Sequence, residues 1–301
     1  MNKFKLMRIA HINNTSGVAS IIAEQQKTEG HDVEVFVFNK IIYRQFGGKK
    51  FNYYSPISRW KFFRRLINEY DVWHYHHPYG SLKRSLDKRH KDKIYIKHYH
   101  GYDIRGKFDD DFCLVSTPDL LQYVPHGKWL PNPIDIREIN STIVRNNQKD
   151  RRTIRIAHYP YYQNYHSNDN YSSTFSEIEN EKDCKVIRIL NLPHTKTLET
   201  MASCDIVVGK ILPDVGWFGK FELEGMALGK PVITYVYDEL YEKYRPPVYR
   251  TTENTFKRDL TSLLEDNTER DRLGKEGQSY IKKYHSVENI VKAVNGCYAL
   301  M

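Results

Sequence analysis

The stretch Gly216-Trp217-Phe218-Gly219-Lys220-Phe221-Glu222-Leu223-Glu224-Gly225-Met226-Ala227-Leu228-Gly229-Lys230-Pro231-Val232-Ile233 holds the residue types best suited to chemistry. A glycine-rich turn opens a helical pattern at Lys220. The first N–H groups of a helix have no partner inside it, so they can meet phosphate oxygens. Glu224 falls one turn in, where a carboxylate can accept two hydrogen bonds from the diol of a ribose. Gly229-Lys230-Pro231 then turns the chain into a short apolar run of the buried-strand kind. Taken alone, Glu224 reads as an ordinary exposed helix acid. The whole string singles it out.

A second concentration of reactive side chains is His74, His76, His77, His98 and His100. His74 and His76 alternate on one strand pattern and His98 and His100 on another, so each pair faces one side of its strand. Neutral imidazoles placed this way are able to hold zinc, but no cysteine or carboxylate completes a ligand set, and no metal is expected. His100 ends its strand and precedes Gly101, and is the histidine expected to do chemistry. His74, His76 and His98 are expected to be structural or to face an acceptor. Asp109-Asp110-Asp111 reads as a solvated turn.

The elements that must position these groups alternate between two periods. Strand patterns cover residues 6–12, 31–38, 71–76, 93–99 and 112–116, with helical patterns over 17–29 and 57–70 between them. Pro131-Asn132-Pro133 punctuates the end of this half, and the polar stretch 141–152 reads as a linker. Strands then resume at 153–158, 184–190, 205–208 and 231–236, with helices at 195–203 and 220–228. Three helical segments, 254–266, 269–284 and 287–300, close the chain. Strands alternating with helices predict parallel, doubly wound sheets whose ligands bind beyond the carboxyl ends of the strands. Residues 159–176, rich in Tyr, Asn and Ser, are expected to be a long loop over one such end.

Length and composition fit this layout. A chain of 301 residues with 40% hydrophobic and 28% charged residues is long enough for two globular domains. Four scattered cysteines give no disulfide framework, and no apolar run is long enough to span a bilayer, so a cytoplasmic protein is expected. The formal charge of +9 lies wholly in residues 1–147, which hold 24 Lys and Arg against 15 Asp and Glu. Its densest parts are Arg59-Trp60-Lys61-Phe62-Phe63-Arg64-Arg65 and the segment from Lys83 to Lys93. Basic residues interleaved with aromatics suit an anionic membrane surface, giving a peripheral protein of the cytoplasmic face, or else form a solvated basic face. A pI of about 9.1 raises nucleic acid as a partner. No helix-turn-helix, RNA-recognition or zinc-finger pattern accompanies it, and none is expected to bind.

The 216–233 string resembles the donor-site signature of glycosyltransferase family 4, the retaining GT-B enzymes, and in particular their capsular-polysaccharide-like members. Residues 13–20 are similar to that family's first glycine-rich loop, and His100-Gly101-Tyr102-Asp103 resembles its His-Gly-x-Asp. Leu130-Pro131-Asn132-Pro133-Ile134-Asp135 resembles its domain junction, and Ile156-Ala157-His158-Tyr159-Pro160 the opening strand of its donor domain. The resemblance implies two Rossmann-like doubly wound domains facing across a cleft. Residues 1–147 would form the basic acceptor domain, 148–285 the nucleotide-sugar domain, and 286–301 a helix packing back on the first.

The implied activity is transfer of a sugar, of the hexosyl type, from a nucleotide-diphosphate donor to a glycan or lipid-linked acceptor, with retention and without metal or other cofactor. Glu224 would bind the donor ribose, and the N–H groups around Phe221, Glu222 and Leu223 would meet ribose and phosphate beside Gly219. Gly17 would lie against the diphosphate or acceptor, and His100 beside the transferred sugar. Asp103 and His158 would face the acceptor or sugar. The family's first glutamate falls at Gly216, and its Arg and Lys-Gly pair at Gln163 and His166-Ser167. Lys210 and Lys220 are therefore the cations expected at the diphosphate. A member that binds nucleotide sugar or glycan without turnover is the alternative.

Overall fold

A computed structural model describes residues 6–38, 46–78, 80–145, 153–160 and 171–301, and they divide into two units. The first comprises Met1–Pro133 and Val287–Met301, the second Ile134–Ser286.

In the first unit, short apolar runs alternate with amphipathic ones, and each becomes a strand or a helix accordingly. Its elements are β1 (Arg8–Ile12), α1 (Val18–Thr28), β2 (Asp32–Phe38), β3 (Lys49–Phe51), α2 (Pro56–Glu69), β4 (Val72–His76), α3 (Gly80–Asp87), β5 (Ile94–Tyr99), β6 (Cys113–Val115) and β7 (Lys128–Trp129). The strands form one parallel sheet in the order β3-β2-β1-β4-β5-β6-β7. α2 starts where Ser55 caps the N–H of Ser58 and Pro56 takes the first helical position, which needs no N–H donor.

Because successive strand residues face opposite sides, the sheet has two cores. Ala10, Ile12, Phe36, Trp73 and Tyr75 pack with Phe62, Phe63 and Leu66 of α2 and Leu82 and Leu86 of α3. Ile9, Val72, Ile96 and Leu114 pack on the other face with Val18 and Ile22 of α1. Each fully buried side chain of this size contributes roughly 1.5–3 kcal/mol.

The second unit contains α4 (Ile136–Arg145), β8 (Ile154–His158), α5 (Ser172–Glu181), β9 (Cys184–Arg188), α6 (His194–Ala202), β10 (Ile206–Val208), α7 (Lys220–Ala227), β11 (Val232–Thr234), α8 (Asp238–Tyr244), β12 (Tyr249–Arg250), α9 (Phe256–Glu265) and α10 (Asn267–Tyr284). Its sheet is also parallel, in the order β12-β11-β10-β8-β9. The last helix, α11 (Val287–Tyr298), belongs to the first unit and lays Ile290, Val291 and Val294 on the α1 side of its sheet.

Three expectations need correction. The boundary expected at residue 147 lies at 133, because α4 packs on α6 and α7 and takes part of the expected 141–152 linker with it. The segment 159–176 ends in the first turn of α5, whose Phe175 and Ile178 are buried; residues 161–170 lie outside the described ones. The Asp109-Asp110-Asp111 turn is not simply solvated. Asp109 is buried and accepts from Lys97 Nζ at 2.7 Å and from Tyr99 Oη. Lys97 points into the protein and requires a buried counter-charge there.

Candidate functional site

The donor-type string folds as one braced turn in the second unit. β10 ends at Val208, and Glu222, fully buried, reaches back to it. One carboxylate oxygen accepts the N–H of Lys210 at 2.8 Å and the other the N–H of Gly219 at 2.9 Å. Gly209 is needed beneath it, because a Cβ there would lie 2.4 Å from Glu222 Cγ. Lys210 is held from its other side as well, its carbonyl accepting from Tyr235 N–H and Thr234 Oγ1. Its ammonium lies over the start of α7, 2.7 Å from where a Cβ on Gly219 would stand.

Glu222 therefore ties the loop to the helix and is not turned to a ligand. Leu223, expected among the donor-binding N–H groups, spends its N–H on the carbonyl of Gly219 at 3.2 Å. The helix end is thus left to the N–H groups that precede it, those of Phe221 and Glu222.

Glu224 is buried, and its charged neighbours come from α6 and from α7 itself. His194 Nε2 lies 2.7 Å from Oε1, and Lys220 Nζ 3.5 Å from the same oxygen. His194 Nδ1 faces Glu138 of α4 at 3.5 Å. Burial alone would push the Glu224 carboxyl up, but Lys220 and His194 outweigh it and hold it below the usual carboxylate range. Burial likewise opposes a charge on His194, yet hydrogen bonds to Glu138 and Glu224 lift its imidazole to about 9. At neutral pH this is an imidazolium between two carboxylates. Both of these cations lie nearest Oε1, so one oxygen of the carboxylate takes the two contacts.

The expected acid at position 216 is replaced by more than a missing side chain. Gly216 has φ +64°, and a Cβ on it would come within 2.1 Å of the Tyr237 ring. The ring occupies the space an acid would need. Phe221 is buried with its ring 5.6 Å from that of Tyr159, and His158, at the end of β8, is buried against Phe175. Gln163, His166 and Ser167 lie outside the described residues.

The histidines of the first unit form a single layer. Register places Ile9 beside Val72 and His11 beside His74, Val72 beside Ile94 and His76 beside His98. On the α1 face the sheet is therefore apolar toward its amino ends and imidazole-lined toward its carboxyl ends. The hydrogen bonds of the layer have one consistent direction, set by its exit. Glu29 carboxylate accepts from Asn295 Nδ2 (2.9 Å), so Asn295 Oδ1 accepts from Gln26 Nε2 (2.8 Å) and Gln26 Oε1 from His11 Nε2 (2.8 Å). With neutral rings, His11 Nδ1 accepts from His76 Nε2 (2.9 Å), and His76 Nδ1 from His100 Nε2 (3.2 Å). Ser116 donates to His100 Nδ1 (2.6 Å) and accepts from His98 Nε2 (3.1 Å). His98 Nδ1 accepts from His74 Nε2 (3.2 Å), and His74 Nδ1 from Tyr298 Oη (2.6 Å).

Burial favours the neutral imidazole at each position, and in this arrangement each donates once and accepts once. Two groups within it, His11 with His74 and His76, and His76 with His98 and His100, have the ligand types for a metal. Each nitrogen bonded in the chain already has a partner, and no carboxylate stands among them to offset a dication. Both ring nitrogens of His100 are engaged, so the residue expected to do chemistry is held within the layer. Asp103 fixes its loop by accepting the N–H of His100 and of Gly101 (2.7 Å), and it faces His77 Nδ1 at 3.3 Å. Gly17, at φ +76°, lies against the Phe46 ring, where a Cβ would come within 2.7 Å.

Sequence reasoning missed His194, Glu138, His11, Gln26, Ser116 and Tyr298. One signal was readable. Glu222 stands three residues after Gly219, the spacing at which a glutamate reaches back to its helix's N-cap.

Two parallel, doubly wound units in succession, with the last helix returned to the first, define the GT-B architecture. Solved structures share it over nearly the whole chain. HepE of Anabaena, in complex with UDP-glucose, superposes with a TM-score of 0.67 at 13% identity, covering 98% of this chain and 100% of that one. Sucrose-phosphate synthase of Thermosynechococcus elongatus gives 0.65 at 12%, covering 98% of each chain. A glycosyltransferase of Rickettsia africae gives 0.65 at 9%, with the same coverage. No family model and no curated protein matches the sequence.

Proposed function

We propose that the protein transfers a sugar from a nucleoside-diphosphate donor to an acceptor hydroxyl, and that its second unit binds the donor. The observation that carries this is Glu224, buried and ionised one turn into α7 beside Lys220 and His194, a carboxylate of the kind that accepts from a ribose diol. Two lysines, Lys210 and Lys220, stand at the same helix end. The fold shared with HepE, whose structure contains UDP-glucose, supports the reading. In the reaction the bond from the anomeric carbon to the diphosphate breaks, a bond to the acceptor oxygen forms, and the acceptor proton is released. The charge developing on the diphosphate would be stabilised by the α7 N–H groups and the two lysines, as a preset electrostatic site without a metal. Retention at the anomeric carbon, a hexosyl group and a glycan or lipid-linked acceptor are the finer parts of the proposal, drawn from the family resemblance.

The test is Glu224→Gln. It keeps the shape and removes the charge, and should weaken nucleoside-diphosphate binding about 10- to 100-fold, as expected for a lost charge-assisted hydrogen bond. Calorimetric titration with UDP, ADP, GDP and CDP measures this, and unchanged affinity for the one that binds would remove the ribose role. The Tyr237 ring at Gly216 favours a second reading, a binder without turnover. Release or transfer of sugar from the bound nucleotide sugar by the wild-type protein would reject that reading.

Among the described residues no helix is long and apolar enough to cross a membrane. α2 nevertheless exposes Trp60 (58%) and Ile57 (69%) among Arg59, Lys61 and Arg64, and Arg89, in the turn after α3, joins Arg59, Trp60 and Arg64 in lining a groove beside it. We take this face as the peripheral membrane site, each basic group adding about 1 kcal/mol at an anionic surface. Trp60→Ala with Arg64→Glu should cut cosedimentation with phosphatidylglycerol vesicles at least tenfold. Equal sedimentation with phosphatidylcholine vesicles would show the surface has no such role.

A further inference from the structure

We propose that His194 is a positioning residue for this site, setting the pose and charge of Glu224 so that ribose recognition depends on a histidine from a different helix. The inference rests on the nucleotide reading above and extends it to a residue that no sequence pattern marks.

Three observations carry it. First, His194 is the first residue of α6, and a cation is disfavoured at a helix N-terminus, where the backbone dipole is positive. Something must offset that cost. Second, the offset is present on two sides, Glu138 of α4 at 3.5 Å from Nδ1 and Glu224 of α7 at 2.7 Å from Nε2. A neutral imidazole has one N–H and serves one carboxylate, whereas the imidazolium serves both. The lifted titration of His194, to about 9, agrees with this geometry. Third, the contact falls on Oε1, as does that of Lys220, so the two cations meet the carboxylate at the same oxygen and hold it in one pose.

The groups facing His194 are Glu138 from α4 and Glu224 with Lys220 from α7. With the imidazolium present, two positive and two negative charges balance. When the proton leaves, the site carries one net negative charge and the neutral imidazole can serve only one of Glu138 and Glu224. Both changes oppose a diphosphate. Affinity for nucleotide should therefore hold from pH 6 to 8 and fall as pH rises through about 9, while Glu224, held below the usual range, stays ionised throughout.

Two variants separate positioning from bulk structure. His194→Ala removes bond and charge, and should weaken binding of the ribonucleoside diphosphate about 10- to 30-fold and of its 2′-deoxy counterpart much less, so that ribose discrimination collapses. His194→Gln restores a donor toward Glu224 without the charge. It should recover part of the discrimination and abolish the fall near pH 9. A loss shared equally by ribo and deoxy ligands, or a wild-type pH profile kept by His194→Gln, would overturn the proposal.

A ligand-free measurement completes the test. In protein labelled at its histidines, the His194 imidazole should titrate near pH 9 and return toward 6.5 in Glu138→Gln with Glu224→Gln. Titration of wild-type His194 near 6.5 overturns the inference even if no nucleotide binds. Failure of UDP, ADP, GDP and CDP to bind, with His194 titrating near 9, would reject the nucleotide reading while leaving the His194–Glu224 coupling in place.

Discussion

Lowering the pH from 7 to 5.5 is expected to remove about 5 kcal/mol of stability from the first unit, enough to unfold much of it. The four fully buried histidines, His11, His74, His76 and His98, are the cause. Burial holds His11 at about 4, and pushes His74, His76 and His98 well below the ordinary value, with neighbouring imidazoles adding to the effect. The folded protein thus refuses protons that the unfolded chain accepts at about 6.5. Above 6.5 both states are neutral and nothing is lost. Below it each histidine costs up to about 1.4 kcal/mol per pH unit, and four of them give the total above.

The window identifies the groups. Asp103 and Asp109, with depressed values, contribute stability that is lost only as pH falls below about 4, so they do not act between 7 and 5.5. His194 acts in the opposite sense, its contribution present below 6.5 and lost as pH rises through about 9. Urea unfolding followed by Trp73 fluorescence at pH 7, 6.5, 6 and 5.5 measures the slope. A stability independent of pH over that range would show that the layer accepts protons in place. Replacing both His74 and His98 with Gln should roughly halve the slope.

The second large effect is expected for Glu222→Ala, which should lower the melting temperature of the second unit by about 10 °C and abolish its response to nucleotide. The buried carboxylate is the acceptor for two backbone N–H groups, those of Lys210 and Gly219. Without it each part-buried N–H loses its acceptor at about 1–3 kcal/mol, and the deleted side chain leaves a void over Gly209. A total of about 4 kcal/mol is ample to shift a unit of this size by that amount. Glu222→Gln keeps one acceptor and should lose about half as much. Calorimetric melting of the three proteins decides it. A shift under 3 °C for the alanine variant would mean the turn does not depend on the brace.

The two glutamates show how much of the site was readable. Positions 222 and 224 differ by two residues, about 200° around a helix, so they face opposite sides. Which of them meets ligand and which meets the loop depends on the face α7 turns to β10, and periodicity assigns no partner strand. The surroundings of His100 were hidden for a similar reason. Its place at a strand end was legible and its role followed the family motif, but both nitrogens are claimed by His76 and Ser116, which come from other strands.

The sequence by itself determined the alternation of strands and helices, the glycine-rich turn before α7, the even spacing of histidines along β4 and β5, and the concentration of basic charge in the first half. These are local properties, set by side-chain period and backbone sterics over a few residues. Only the tertiary structure decided that His11 and Ser116 join those histidines, that α4 belongs to the second unit, and that His194 and Glu138 stand behind Glu224. Parallel strands are joined by long crossovers, so their neighbours and register depend on packing across the sheet, where residues far apart in sequence compete for the same buried space.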